Sequence, residues 1–158
     1  MKPSLHNRQN RISLTMRNLK RLILALAGRI SRDADLAPWR ELAVIFTDDA
    51  GIVPFNAACF GKAWSTDVIA QPYTSPLGGE VIVNVERALS IGGPGPRGEA
   101  ELALYIAHGL HHLAGAVDHT PAQRRAMLRQ ERDWLWALAK EGWLENLWRP
   151  SGPRLRRG

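Results

Sequence analysis

The sequence predicts an α+β domain in which helices cover a small sheet. Three observations lead there. Apolar residues recur at helical spacing in three long segments, three short runs rich in β-branched residues lie between the first and the last two, and Gly- and Pro-rich stretches punctuate them. With 158 residues, 45% of them apolar, the chain has the size of one ordinary domain and can bury a real core. Residues 1–149 are expected to form that domain. The end, "PSGPRLRRG" (150–158), carries Arg154, Arg156 and Arg157 behind Pro150, Gly152 and Pro153, and is expected to be a disordered basic arm.

"LTMRNLKRLILALAGRI" sets Leu19, Leu22, Ile23, Leu26 and Ile30 on one stripe, with Arg17, Lys20 and Arg21 at helical spacing outside it, so an amphipathic helix with a basic outer face is expected. "ELAVIFT" (41–47) is short, apolar and β-branched, hence a buried strand. "DDAGIVPFNAACF" reads as a turn followed by a short helix broken near Pro54. "STDVIA" (65–70) and "EVIVNV" (80–85) read as two further strands, with Gly78 and Gly79 turning into the second. After the loop "GGPGPRG", Glu99 to Ala114 forms a long, almost uncharged helix that must be largely buried, and Gly115 marks its end. Thr120 is placed as N-cap and Pro121 at the first position of a final amphipathic helix. There Trp134 and Trp136 are two apart and cannot both face the core, so one ring is expected to be partly exposed, and "RRAMLRQERD" reads as a solvated face.

Charge and cysteine usage narrow the function. The 21 Lys+Arg against 15 Asp+Glu give a formal +6 and a pI near 10.2, which favours a polyanionic partner such as nucleic acid. Cys59 is the single cysteine, which excludes an intrachain disulfide and a thiolate metal cluster and fits a reducing cytoplasm. "LILALAG" (22–28) is far shorter than the roughly 20 residues that span a bilayer, and the start lacks an apolar core for export, so no membrane association is expected.

Four of the five histidines fall between His108 and His119. His108 and His112 are four apart, about 40° around a helix, so their rings can converge on one ion; the pair His108 and His111 would also serve. A third ligand would come from just past Gly115, where Asp118 and His119 are both candidates. Three protein ligands with water in the fourth position is the pattern of a catalytic zinc site. The competing reading is a helix with hydrogen-bonded histidines in its core, but burying several imidazoles without partners costs about 1–3 kcal/mol each. Gly109 follows His108, so the glutamate base of an HExxH peptidase is missing.

These residues resemble a known family. "HGLHHLAG" followed by "DHTP" is similar to the H-G-x-x-H-L-x-G-[YF]-D-[HD] signature of the YbeY endoribonucleases. "FNAACFGK", "STDVIA" and "LGGEVIVN" stand where that family has L-N-x-x-[FY]-R-G-K, T-D-V-[LI]-S and L-G-D-[IV]-x-[IV]-S. The similarity runs roughly from Asn7 to Ala139. It implies an α+β fold with a small, mostly antiparallel sheet and a buried helix that carries the metal ligands. It further implies a metal-dependent, single-strand-specific endoribonuclease of rRNA maturation and ribosome quality control, with rRNA and the ribosome or its associated proteins as partners. One Zn2+ per chain is expected, other divalent ions also suiting the donors. Read without gaps, the ligand positions fall on His108, His112 and Asp118, with His119 one residue later as the alternative. No catalytic residue beyond the ligands is assigned.

Departures from the pattern bear on activity. Phe60 stands where the family has a basic residue, and Lys62 lacks the bidentate fork of arginine. Ala116-Val117 replaces Tyr-Asp before the third ligand, removing a side chain that could orient one. Glu80 and Ala70-Gln71 also differ. Two rivals therefore stand beside the nuclease: a metal hydrolase with a non-RNA substrate, and a non-catalytic RNA- or ribosome-associated binder that keeps the site. Trp134, Trp136, Trp143 and Trp148 are assigned to core packing with one ring partly exposed, rather than to base stacking.

Overall fold

In the computed structural model, residues 1–75 and 77–149 are described. The tail expected at 150–158 lies outside them. Along the chain run β1 (Ser4–Asn7), β2 (Ser13–Leu14), α1 (Met16–Asp33), β3 (Glu41–Thr47), α2 (Asp49–Phe60), β4 (Val68–Pro72), β5 (Gly78–Asn84), α3 (Val85–Gly92), α4 (Pro96–Leu113), α5 (Pro121–Lys140) and β6 (Trp148–Arg149). The expected stripe of α1 is entirely buried. In α5, Thr120 caps as expected and exchanges side-chain and backbone bonds with Gln123 in a full capping box.

The α+β class holds, but the sheet is mixed rather than mostly antiparallel. Its order is β1-β3-β5-β4, with β1–β3 and β3–β5 parallel and only β4–β5 antiparallel. Each parallel return runs through a helix, α1 before β3 and α2 before the β4–β5 hairpin, which carries the chain back to the starting end. β2 and β6 form a separate two-stranded ribbon. Helix α2 runs unbroken through Pro54, which sits on the exposed face where water can satisfy the carbonyl it frees.

The period-two alternation of the strands makes two cores. Val44, Phe46, Val81 and Val83 point towards α1, α4 and α5, while Ile45, Ile69 and Ile82 point the other way, towards Ile52 and Phe55 of α2. Helix α4 approaches the sheet closely because Gly109 has no Cβ: one built there would lie 2.5 Å from Val81 Cγ1 and 3.1 Å from Val68 Cγ2. That contact brings the flanking His108 and His112 beside the edge strand β4.

Candidate metal centre

Helix α4 ends at Leu113, and Gly115, with φ of 97°, turns the chain back on itself. The Ala116 N–H then bonds the His111 carbonyl at 3.2 Å, and Asp118 comes to rest beside the two histidines. His112 Nε2 lies 3.1 Å from His108 Nε2 and 3.5 Å from Asp118 Oδ2, and His108 Nε2 lies 3.8 Å from the same oxygen. Zinc bonds of about 2.0–2.1 Å at tetrahedral angles separate ligand atoms by about 3.3 Å. His108, His112 and Asp118 thus form a group that could hold a metal ion.

The opposite ring nitrogens explain why a cation suits the gap. His112 Nδ1 faces the Ala116 carbonyl at 3.0 Å, and a carbonyl only accepts, so Nδ1 carries the proton. His108 Nδ1 faces both carboxylate oxygens of Glu131 at 3.0 Å. In their neutral forms both rings therefore point bare Nε2 lone pairs at each other across 3.1 Å. Such a pair repels unless a proton or a metal cation stands between them. The His112 partner is a main-chain oxygen, so its orientation here does not depend on the side chain at 116.

Glu131 is the residue that sequence reasoning misplaced. It lies within "RRAMLRQERD", read as a solvated face, yet its side chain is 0% exposed. It also accepts from His111 Nδ1 at 2.8 Å, so one carboxylate orients two imidazoles. Burial alone would push its carboxyl up; the bonds from His108 and His111 outweigh that and hold it below the usual value. Burial would likewise lower His108, but the Glu131 hydrogen bond and charge raise it overall. The signal was present in the sequence: Met127, Glu131, Trp134, Leu135 and Leu138 recur at helical spacing on a buried stripe. His111 Nδ1 is thereby committed to the same Glu131 oxygen that bonds His108, and its ring packs edge-on to Trp134 at 4.7 Å.

His108, His112 and Asp118 open into a cleft of about 480 Å³, lined also by His119, Asn56, Phe60, Lys62, Thr66 and Asp67. His119 is exposed at this cleft and is not part of the converging group. Two buried asparagines fix the opposite wall. Asn56 donates to the Trp64 carbonyl at 2.8 Å. Asn84 donates to the Thr66 carbonyl at 3.0 Å and to Asp49 at 2.7 Å while capping α3. Both asparagines fall in stretches that resemble the family, "FNAACFGK" and "LGGEVIVN", but the sequence assigned neither a role. Trp134 and Trp148 are core, whereas Trp136 is 65% exposed, as expected of a pair two apart. No helix among the described residues is long and apolar enough to cross a membrane.

Comparison with known proteins gives the family. The family model described as "Endoribonuclease YbeY" matches residues 4–139. A protein of Syntrophomonas wolfei named Endoribonuclease YbeY is 29% identical over 82% of this chain and 91% of its own length. Another of that name from Anaeromyxobacter is 33% identical over 72% of this chain, but the match spans only 60% of the relative. A Thermotoga maritima protein with a solution structure has a TM-score of 0.55 at 20% identity, over 96% of this chain and 99% of that one, which speaks for the fold alone. With the family model spanning all elements from β1 to α5, this chain belongs to the YbeY endoribonuclease family.

Proposed function

We propose that this chain is a metal-dependent, single-strand-specific endoribonuclease acting in rRNA maturation and ribosome quality control in the cytoplasm, and that His108, His112 and Asp118 hold one zinc ion. The observation that carries this reading is the pair of imidazoles whose Nδ1 atoms are committed to acceptors and whose Nε2 atoms converge with Asp118 Oδ2 at an open cleft. Three donors facing a cleft leave room for water or substrate, as catalytic zinc sites do.

A divalent ion held there supplies Lewis acidity at a phosphoryl oxygen of the RNA. The chain's own residues do the rest. Glu131 and the Ala116 carbonyl hold the two rings in the ligating tautomer. Lys62 brings a positive charge to the same cleft for a phosphate, as a point charge rather than a fork. The Asn56 and Asn84 bonds keep the wall that carries Lys62 and Thr66 at a fixed distance from the histidines. The net charge of +6 adds salt-sensitive affinity that does not depend on base sequence.

The test is cleavage of an rRNA fragment carrying both a duplex and a single-stranded tail. Cutting in the tail, abolished by a chelator and restored by zinc, is expected. Intact RNA with bound metal would overturn the reading. It would instead favour the non-catalytic RNA- or ribosome-associated binder, to which the replacement of a basic residue by Phe60 already points.

A further inference from the structure

Phe60 and Trp64 are large aromatic side chains that the fold leaves in water, 54% and 62% exposed respectively. Phe60 lines the metal cleft, and Trp64 adjoins it through Lys62. Phe60 is the last residue of α2 and lines the cleft together with His108, His112 and Asp118. Gly61 follows it in the left-handed conformation, φ 66°, with its N–H on the Ala57 carbonyl at 2.9 Å, so the turn that presents Phe60 is closed by a hydrogen bond. Trp64 is four residues on, and its carbonyl is held at 2.8 Å by the buried Asn56 side chain. Between them Lys62 lines the cleft, and its ammonium stands 5.9 Å above the Trp64 ring.

Single exposed apolar side chains are ordinary, but two exposed rings flanking a lysine beside a polar cleft leave apolar faces open to a partner at that cleft. A lysine that lies between two exposed aromatics in sequence and over one of the rings in space, on backbone pinned at both ends, fits a flat apolar partner that carries negative charge on a flexible link. A nucleobase with its phosphate is that partner. The base must be unpaired, because a base inside a duplex has both faces stacked already. Building on the nuclease reading of the metal cleft, we infer that Phe60 and Trp64 form a stacking platform for unpaired bases of single-stranded RNA, with Lys62 on the phosphate between them. This subsite selects strands by base exposure rather than by sequence, since every base has a π-face.

Binding of a fluorescent single-stranded oligoribonucleotide to the full chain, followed by anisotropy with a chelator present so that the strand stays intact, tests this. A second oligonucleotide of the same length and charge but with abasic sites reports the stacking contribution. The wild type should prefer the intact strand. Phe60→Ala and Trp64→Ala should each weaken binding of the intact strand by about 5- to 150-fold and shrink that preference. Phe60→Tyr should restore it. Both residues are exposed, so circular dichroism and thermal melting should match the wild type. Equal affinity of wild type and both alanine variants would overturn the platform, while cleavage by those variants would leave the nuclease reading standing. Loss of cleavage by the wild type with preserved, Phe60-dependent binding would remove the nuclease and keep the platform. No binding of either strand by the wild type would remove both.

Discussion

Replacing Glu131 by glutamine keeps the shape of the buried side chain and removes its charge and one acceptor. The carboxylate now accepts from His108 Nδ1 and from His111 Nδ1 at once. An amide offers one oxygen and one NH2 group, so whichever way it turns an NH2 group takes the place of an oxygen beside a ring nitrogen and can donate to it. If it donates to His108, that ring moves its proton to Nε2, the atom that faces His112 and Asp118, and can no longer ligate. If it donates to His111, His108 keeps its tautomer but loses the negative charge behind it, and its Nε2 becomes a weaker donor. Partners of this kind are worth about 10- to 100-fold in metal affinity, or about 1.4–2.7 kcal/mol. Competition against a chromophoric zinc chelator measures the ratio directly. Glu131→Gln is expected to bind zinc at least tenfold more weakly than the wild type while melting cooperatively. Zinc affinity within about threefold of the wild type would refute the idea that this carboxylate sets the ligating form of His108.

Further outcomes follow from the packing and the charges. Gly109→Ala gains about 1 kcal/mol of helix propensity but sets a Cβ 2.5 Å from the buried Val81 side chain, an overpacking cost of about 1–3 kcal/mol. A lower melting temperature and weaker zinc retention are expected, and a more stable variant would show that α4 has room to move. Trp134→Phe deletes the indole N–H that reaches Asp33 at 2.7 Å and leaves a gap beside His111; thermal unfolding should report a loss of about 1–3 kcal/mol, against less than about 1 kcal/mol for the exposed Trp136→Ala. The Asp49 carboxyl is held below its ordinary value by bonds from Asn84 and then Ser65. Its contribution is therefore present above the unfolded-state pKa and lost as pH falls through the lower folded one. Urea titrations should show the wild type losing more stability than Asp49→Asn on acidification below about pH 4, and parallel curves would contradict this.

What the sequence showed and what it hid divide along physical lines. The long helices were legible because one face of each is continuously apolar, and the capping residues Thr120 and Gly115 mark ends that the structure reproduces. Strands β1, β2 and β6 were not: they hold two to four residues, mostly exposed, with no alternation to read. Helix α3 was hidden because Asn84 is both the last residue of β5 and the N-cap of the helix, so no turn residue separates the two. Parallel pairing was out of reach because it joins segments distant along the chain, and local pattern carries no record of which end they enter from. At the metal centre the histidine spacing was plain. The carboxylate behind it was not, since Glu131 differs from the solvent-facing charges around it only in its position on the apolar stripe.

The most direct test of the metal centre is elemental analysis of freshly purified wild type, His112→Ala, Asp118→Ala and His119→Ala. The geometry predicts about one zinc per chain in the wild type and in His119→Ala, and its loss in His112→Ala and Asp118→Ala. Zinc kept by Asp118→Ala but lost from His119→Ala, or no metal in the wild type, would contradict it.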